Sequence, residues 1–350
     1  MMKVLLSLAI IISLNAVGKA QDGHFTQYYQ IPGNTNPALT GTFNGLYRVG
    51  MNYRDQWRPS VGRPFVSFAA GGDVKFSRSG RAASDVAALG INFYSDRTKQ
   101  YDFNVSQIAI SGAYHKLLDK ATNQYLGIAL QASVSQRTLN YEYLTFQDQF
   151  NAIDGYTFES SEILPVNNFG FYDLGLGLNY SFSPKDKNSL NLGVALFHLT
   201  RPNISFYSQN VPPGTSNDLS FKMNRRLSVH GSYNLGLNEF QSIEPRVLYM
   251  NQGPYTEVMI SSLFKHEIRG SEGRTFFIGP GVRGVNNYNG FGIESLILIV
   301  GMEYNGLIFG LSYDHNLSDI INENFGLSTF EFSINYLGEY ENEDAFCPTF

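Results

Sequence analysis

Apolar residues alternate strictly with small or polar residues along the stretch 173–182. The apolar positions are Leu174, Leu176, Leu178, Tyr180 and Phe182, and the positions between them are Asp173, Gly175, Gly177, Asn179 and Ser181. A period of two predicts a β-strand with one apolar face and one polar face. The segment 329–336 repeats the pattern near the C-terminus, so the chain needs a dry environment for many such faces.

The same alternation predicts fourteen strands along the chain. They are expected at 46–54, 65–77, 86–95, 104–116, 125–138, 171–182, 189–198, 226–235, 243–250, 255–265, 274–284, 293–303, 307–315 and 327–336. Bacterial outer-membrane barrels formed by one chain use an even number of antiparallel strands. A soluble β-sandwich is the alternative, because its second sheet would also bury an apolar face.

Loop lengths separate these two folds. The two longest connections, 139–170 and 199–225, follow the fifth and seventh predicted strands, so both lie on the same side of a barrel. Short turns such as 183–188 and 304–306 lie on the other side. Long loops outside and short turns inside are typical of outer-membrane barrels, so we predict an all-β transmembrane antiparallel barrel over 46–337 with long extracellular loops. Charged residues of the polar faces are then expected in the lumen: Arg48, Arg54, Asp73, Lys75, Arg137 and Asp314.

Composition agrees with alternating strands. The chain has 22 Tyr, 27 Phe and 34 Gly but one Trp, and 43% of its 350 residues are hydrophobic. A net charge of −5 gives no basic surface for nucleic acid. The single cysteine, Cys347, excludes an internal disulfide and leaves a thiol that could pair with another chain. Aromatic residues near strand ends, such as Phe93, Tyr94 and Tyr336, suit interfacial girdles or simply reflect β-propensity.

The two termini differ from the rest of the chain. Residues 1–20 have a basic start, an apolar core and small residues before Gln21, which predicts a signal peptide cleaved after about Ala20 and export from the cytoplasm. Residues 21–45 are rich in Gly, Asn and Pro without periodicity, and we expect a periplasmic segment or a plug. The acidic tail 338–350 is expected to be solvated in the periplasm.

Several motifs resemble the PorP/SprF family of outer-membrane proteins. The opening of the family is matched at 24–29 (HFTQYY), 36–41 (NPALTG) and 48–57 (RVGMNYRDQW). The middle is matched at 195–203 (ALFHLTRPN) and 225–231 (RRLSVHG), and the end at 311–318, 330–336 and 347–350. These matches run in order along nearly the whole mature chain.

The resemblance implies an outer-membrane barrel of Bacteroidota that serves the type IX secretion system and, in some members, gliding motility. Such proteins are non-enzymatic: they assist the secretion or surface anchoring of particular client proteins that carry a type IX C-terminal domain, alongside other secretion components in the periplasm. The residues of the matching motifs are therefore candidates for partner contact. They are Asn36, Pro37, Ala38, Tyr53, Arg54, Gln56, Trp57, His198, Arg201, Pro202, Asp314 and Asn316. For Asn36–Ala38 a stiff entry to the first strand is the alternative role.

Catalytic and ligand-binding motifs receive little support. The GxGxxG pattern at 279–284 lies in a strand and leads into a turn, whereas a nucleotide site needs a helix N-terminus there. The six histidines are scattered, GxSxG is absent, and the acidic loop 148–155 lacks calcium-loop spacing. We therefore expect no enzyme activity, no cofactor and no metal. The alternative hypothesis is an outer-membrane hydrolase.

The aromatic character of the long connection 139–170 indicates a binding surface. Together with 199–225 it is predicted to form the docking face for a client protein, unless both connections fold into the barrel as a plug. A diffusion channel for small solutes is the alternative function, and it requires an open lumen.

Overall fold

The computed structural model describes residues 22–58, 64–77, 84–98, 102–142, 144–184, 188–207, 221–268, 274–287, 290–317 and 328–338. The predicted signal peptide, residues 339–350 of the acidic tail and, with them, Cys347 lie outside these residues. Among the described residues, no helix is long and apolar enough to cross a membrane.

Fourteen antiparallel strands close into one barrel, as the alternation predicts. They are β1 (Tyr47–Gln56), β2 (Phe65–Ser77), β3 (Val86–Thr98), β4 (Phe103–Asp119), β5 (Gln124–Thr138), β8 (Asn168–Phe182), β9 (Ser189–Phe197), β10 (Arg226–Gly236), β11 (Gln241–Gln252), β12 (Tyr255–Glu267), β13 (Arg274–Asn287), β14 (Gly290–Tyr304), β15 (Leu307–Asn316) and β16 (Ser328–Gly338). Consecutive barrel strands pair with each other, and β1 pairs with β16 to close the ring.

Each barrel strand has an apolar outer face and a polar inner face. On β5, Leu126, Ile128 and Leu130 are 47%, 50% and 64% exposed, whereas Gln131 and Ser133 on the opposite face point inward and are each 7% exposed. Because side chains alternate across a strand, the register of the strand pairing determines which side chains face outward and which face the lumen on all fourteen strands. An apolar exterior around a polar interior is the arrangement that a lipid environment requires.

The short elements are not part of the barrel wall. Pro32–Asn34 and Pro37–Leu39 are 3-10 turns in the N-terminal segment. A third 3-10 turn, Gln147–Gln149, precedes a small hairpin of β6 (Phe150–Asn151) and β7 (Gly155–Tyr156) in the connection between β5 and β8.

The two long connections, 139–167 and 198–225, lie at the same end of the barrel, which we call the outer end. The opposite, inner end carries the turns 120–123, 237–240 and 305–306. Several strands extend one to three residues beyond the ends that the alternation predicts. β9 is instead shorter at its C-terminal end, because it ends at Phe197 and His198 adopts a positive φ of 58° instead of continuing the strand.

Candidate functional site in the barrel lumen

Residues 22–46, here called the lumen segment, run through the interior of the barrel. Near the outer end, the Asp22 backbone N–H donates to Gln252 Oε1 at 2.9 Å. At the inner end, the Leu46 N–H donates to the Gly338 carbonyl at 2.7 Å. The segment therefore enters near the outer end of the lumen and runs to the inner end, where β1 begins. The barrel wall that surrounds it is formed by the residues that follow it in sequence.

Buried charges hold the first turn of the lumen segment. The backbone N–H groups of Thr26 and Gln27 donate to the two carboxylate oxygens of Glu331 at 2.7 and 2.8 Å. The Thr26 hydroxyl donates to Asp314 at 2.6 Å and accepts from Arg283 at 2.6 Å. Each of these groups is buried, so the hydrogen bonds form away from water and are strengthened by the ionised partners.

The same carboxylates join two wall arginines into one network. Arg283 lies 2.8 Å from Asp314 and 3.2 Å from Glu257. Arg54 lies 3.3 Å from Glu331, and the two arginines thus face each other across the Thr26 hydroxyl. Removing one partner of such a buried pair is costly because the remaining charge has no water to solvate it.

Asn36 fixes the middle of the lumen segment. Its side-chain Oδ1 accepts from the Ala38 N–H at 2.9 Å and caps the turn Pro37–Leu39, while Nδ2 donates to the Leu178 carbonyl of β8 at 2.9 Å. The Pro37 ring removes a backbone donor and fixes φ, which suits a turn inside a barrel. A Cβ atom at Gly177 would overlap Asn36 and lie 2.9 Å from the Ala38 nitrogen. The glycine of the alternating stretch therefore makes room for the segment.

The inner half of the segment is tied to β1 and β2. Gly41 N–H donates to Asp73 at 2.7 Å, and Arg48 bridges from the Leu39 carbonyl at 3.2 Å to Asp73 at 2.8 Å. Lys75 donates to the Phe43 carbonyl and lies over the Phe43 ring. The charges that the alternation predicts in the lumen are thus used to hold the chain's own N-terminal segment.

A second cluster lies at the outer mouth of the lumen. His198 Nδ1 is 2.7 Å from Asp173, and Nε2 is 2.6 Å from Asp22, which also lies 3.0 Å from Arg226. Burial lowers the pKa of His198, but the charge of Asp22 and hydrogen bonds to Asp173 and Asp22 outweigh burial and raise the pKa to about 9. Burial would raise the pKa of Asp22, yet the charges of His198 and Arg226 hold it well below its usual range.

This cluster predicts a pH-dependent tether for the start of the lumen segment. A folded-state pKa of about 9 exceeds the ordinary histidine value of about 6.5, so protonated His198 stabilises the folded barrel fully below about pH 6.5. That contribution is lost as the pH rises through about 9. We expect His198→Gln to cost roughly 1.5–3 kcal/mol at about pH 6 and much less at about pH 10, measured as the difference in denaturation midpoint. A difference that is constant across this range would contradict the charged tether.

The candidate residues from the sequence fall into two groups. Asn36–Ala38, Arg54 and Asp314 are buried in the lumen, and His198 is buried at its mouth. The others lie at the rim or on the outer face of the barrel. Tyr53 points outward, and Arg201 is exposed. Trp57 packs edge-on against Phe65, with ring centroids 5.4 Å apart. Pro202 accepts from Met223 N–H within the long connection, Gln56 ends β1 and Asn316 is buried at the end of β15.

Sequence reasoning missed the other half of the lumen network. Glu331, Glu257 and Arg283 occupy polar positions of alternating strands, which marks them as inward-facing but not as members of one network around Thr26. Their pairing depends on the register of strands distant in sequence. Within the part of the chain that the structure describes, no group of three His, Cys, Asp or Glu side chains is placed to hold a metal ion.

Solved structures with the same fold are outer-membrane barrels. Two of them, described as "TodX monoaromatic hydrocarbon channel deltaS2 mutant" and "CymD monoaromatic hydrocarbon channel", each superpose with a TM-score of 0.50 at 10% sequence identity. The matches cover 87% and 93% of this chain and 93% and 95% of those chains. At such low identity the similarity shows the fold alone. No curated protein matches the chain.

The family model described as "Type IX secretion system membrane protein PorP/SprF" matches residues 17–336. This range includes the lumen segment and all fourteen barrel strands except the last two residues of β16. The match, together with the barrel fold, supports an outer-membrane location. The chain belongs to the PorP/SprF family of type IX secretion system membrane proteins.

Proposed function

We propose that this barrel is a non-enzymatic partner of the type IX secretion system that assists the secretion or surface anchoring of specific client proteins, in secretion or in gliding motility. The client is a secreted surface protein with a type IX C-terminal domain, and the inner end of the barrel faces other secretion components in the periplasm. The protein is exported by a signal peptide cleaved after about Ala20, in a bacterium of the Bacteroidota.

One observation carries this proposal beyond the family match. The lumen is occupied by residues 22–46, which are held by buried ion pairs and hydrogen bonds along their length. A barrel filled in this way offers its outer end, instead of its pore, as the surface for a partner.

The outer end has the exposed apolar residues that a protein interface uses. In the connection 139–167, Ile153 and Ile163 are 89% and 90% exposed, and the small hairpin and the residues directly after it present Phe150, Tyr156 and Phe158 at 54%, 55% and 59% exposure. Aromatic residues are enriched at interfaces, and an exposed apolar patch away from the lipid-facing wall indicates a binding site. The hairpin is ordered by its own strand pairing, so this face is formed before any partner arrives.

A diffusion channel is the second candidate, because the similar solved structures are described as hydrocarbon channels. The filled lumen weighs against free passage of solutes. The channel function requires the lumen segment to leave the barrel or a second path to open beside it.

Changing the hairpin tests the docking surface directly. We expect the triple variant Phe150→Ser, Tyr156→Ser, Phe158→Ser to release at least tenfold more client into the culture medium than the unchanged protein, because aromatic anchors dominate interface energy. Quantitative mass spectrometry of cell-surface and medium fractions provides the measurement. The barrel itself should still show heat-modifiable migration on gels, since the hairpin lies outside the wall.

The matched control removes three aromatic residues from the lipid-facing wall instead. Tyr172, Tyr313 and Tyr336 are 77%, 47% and 42% exposed, and their conversion to leucine keeps that face apolar. This control should retain the client. Unchanged surface retention in the hairpin variant would refute docking at this loop.

A further inference from the structure

Arg137 differs from the other arginines that face the lumen. Five of them have a carboxylate within 4.0 Å: Arg48 with Asp73, Arg54 with Glu331, Arg226 with Asp22, Arg246 with Glu244 and Arg283 with Asp314. Arg137 is 8% exposed, and no carboxylate of the described residues lies within that distance of its guanidinium. Its Nε atom is buried without a hydrogen-bond partner. A buried cation without a counterion is costly, so this position points to an anionic ligand.

The position of Arg137 gives such a ligand access. It is the penultimate residue of β5, next to Val105 of β4 and Phe169 of β8 at the outer end of the barrel. It lines two cavities: a first cavity above the lumen segment and a second, here called the outer cavity, beneath the long connections. Asp22 attracts Arg137 across the first cavity, but Asp22 Oδ2 already contacts His198 and Arg226, and Oδ1 accepts from Gln252.

Aromatic rings surround the guanidinium on its remaining sides. Arg137 lies 6.0 Å from the Phe103 ring centroid and 5.9 Å from that of Phe171. Phe206, from the long connection 198–225, packs edge-on against Phe169 at 4.9 Å and against Phe103 at 6.4 Å. The rings lie beside the guanidinium and leave its in-plane N–H donors as the polar feature at the base of the outer cavity.

The walls of the outer cavity define the rest of the ligand. Above Arg137 they consist mainly of apolar side chains, including Leu144, Leu164, Pro165 and Ile204. A hydrocarbon chain can lie against such walls without losing hydrogen bonds, whereas a peptide backbone would leave its N–H and C=O groups unpaired there.

We propose that the outer cavity binds an amphiphilic carboxylate of low molecular mass, with its carboxylate on Arg137 and its hydrocarbon chain in the apolar cleft beneath the two long connections. The guanidinium fork donates to both carboxylate oxygens, and the Ser135 hydroxyl, which lines the first cavity and accepts from Gln107 Nε2, has its own O–H as a further donor below it. The site is separate from the exposed hairpin surface and does not depend on the identity of a client.

Dodecanoate is a suitable probe, with dodecanol as the uncharged probe of equal chain length. Binding is measured on the full mature barrel in amphipol, by native mass spectrometry and by competition with radiolabelled dodecanoate. We expect saturable, equimolar dodecanoate binding that is at least tenfold tighter than dodecanol binding. Arg137→Gln should abolish this preference, whereas Arg274→Gln, which removes an exposed arginine at the inner end, should keep it.

A second variant tests the cleft if Arg137→Gln does not fold. Leu144→Asp places a negative charge in the outer connection, away from the barrel wall, and should weaken dodecanoate binding at least tenfold while affecting dodecanol less. Absence of saturable dodecanoate binding, or equal binding of dodecanol and dodecanoate, would overturn the proposal. It would also be overturned if an apolar peptide with a free C-terminus bound at Arg137 and dodecanoate did not.

Discussion

A barrel carrying Gly177→Val is expected to conduct ions across a planar lipid bilayer, whereas the unchanged barrel is expected to remain closed. Any side chain at this position would overlap Asn36 and approach the Ala38 nitrogen and the Pro37 ring at 2.9 and 3.1 Å. Backbone and ring atoms of a capped turn cannot move independently, so the lumen segment has to leave its site. Displacement also breaks the hydrogen bond from Asn36 to the Leu178 carbonyl.

The control for this experiment is Gly112→Val. Gly112 lies in β4 on the lipid-facing side, and a Cβ atom there would meet only Leu89 at an ordinary 3.7 Å. This variant should stay closed, because valine suits an outward-facing strand position. If the Gly177→Val barrel does not conduct, or if the unchanged barrel conducts as well as this variant does, the lumen segment does not close the pore.

Arg283→Met is expected to cause the largest loss of stability among single substitutions in the lumen. The arginine side chain is 2% exposed and faces Asp314, Glu257 and the Thr26 hydroxyl. Methionine fills similar space but leaves two buried carboxylates short of a positive partner. Breaking a buried pair costs about 3–5 kcal/mol, which should appear as a lower urea midpoint for the loss of heat-modifiable migration.

Arg58→Met provides the comparison for Arg283→Met. Arg58 pairs with Asp55 at the outer rim, where its side chain is 56% exposed, and exposed ion pairs add little to stability because water and salt screen them. Its substitution should leave the midpoint nearly unchanged. Equal midpoints for the two variants would mean that the lumen network does not stabilise the folded barrel.

Local patterns in the sequence were sufficient to predict the strands that form the wall of the barrel. Strand number, strand order and the facing of residues such as Arg48 and Asp314 all follow from a period of two and from the lengths of the connections. The alternation predicts the ends of strands less well, because a strand ends where the backbone conformation changes and not where the alternation of residue types stops. His198 shows this, because its positive φ turns the chain toward Asp22. Tyr94 does so in another way: it faces inward and packs against Phe25 at 6.1 Å instead of joining an interfacial girdle.

The content of the lumen could not be derived in the same way. Residues 22–46 show no periodicity because they contact many different strands of the wall. Thr26 depends on Glu331, which is 305 residues away, and Asn36 depends on Leu178 and His230. Such contacts require the closed register of the whole barrel. The same limit applies to Arg137, whose lack of a carboxylate partner is visible only when all neighbouring strands are in place.

The most direct test is the mass of the barrel purified in mild detergent from its own outer membrane. Native mass spectrometry is expected to show a complex of the mature chain with one large secreted protein that carries a type IX C-terminal domain. A barrel that is recovered alone, without a protein partner, and that conducts ions in planar bilayers would contradict the proposed role and favour the channel.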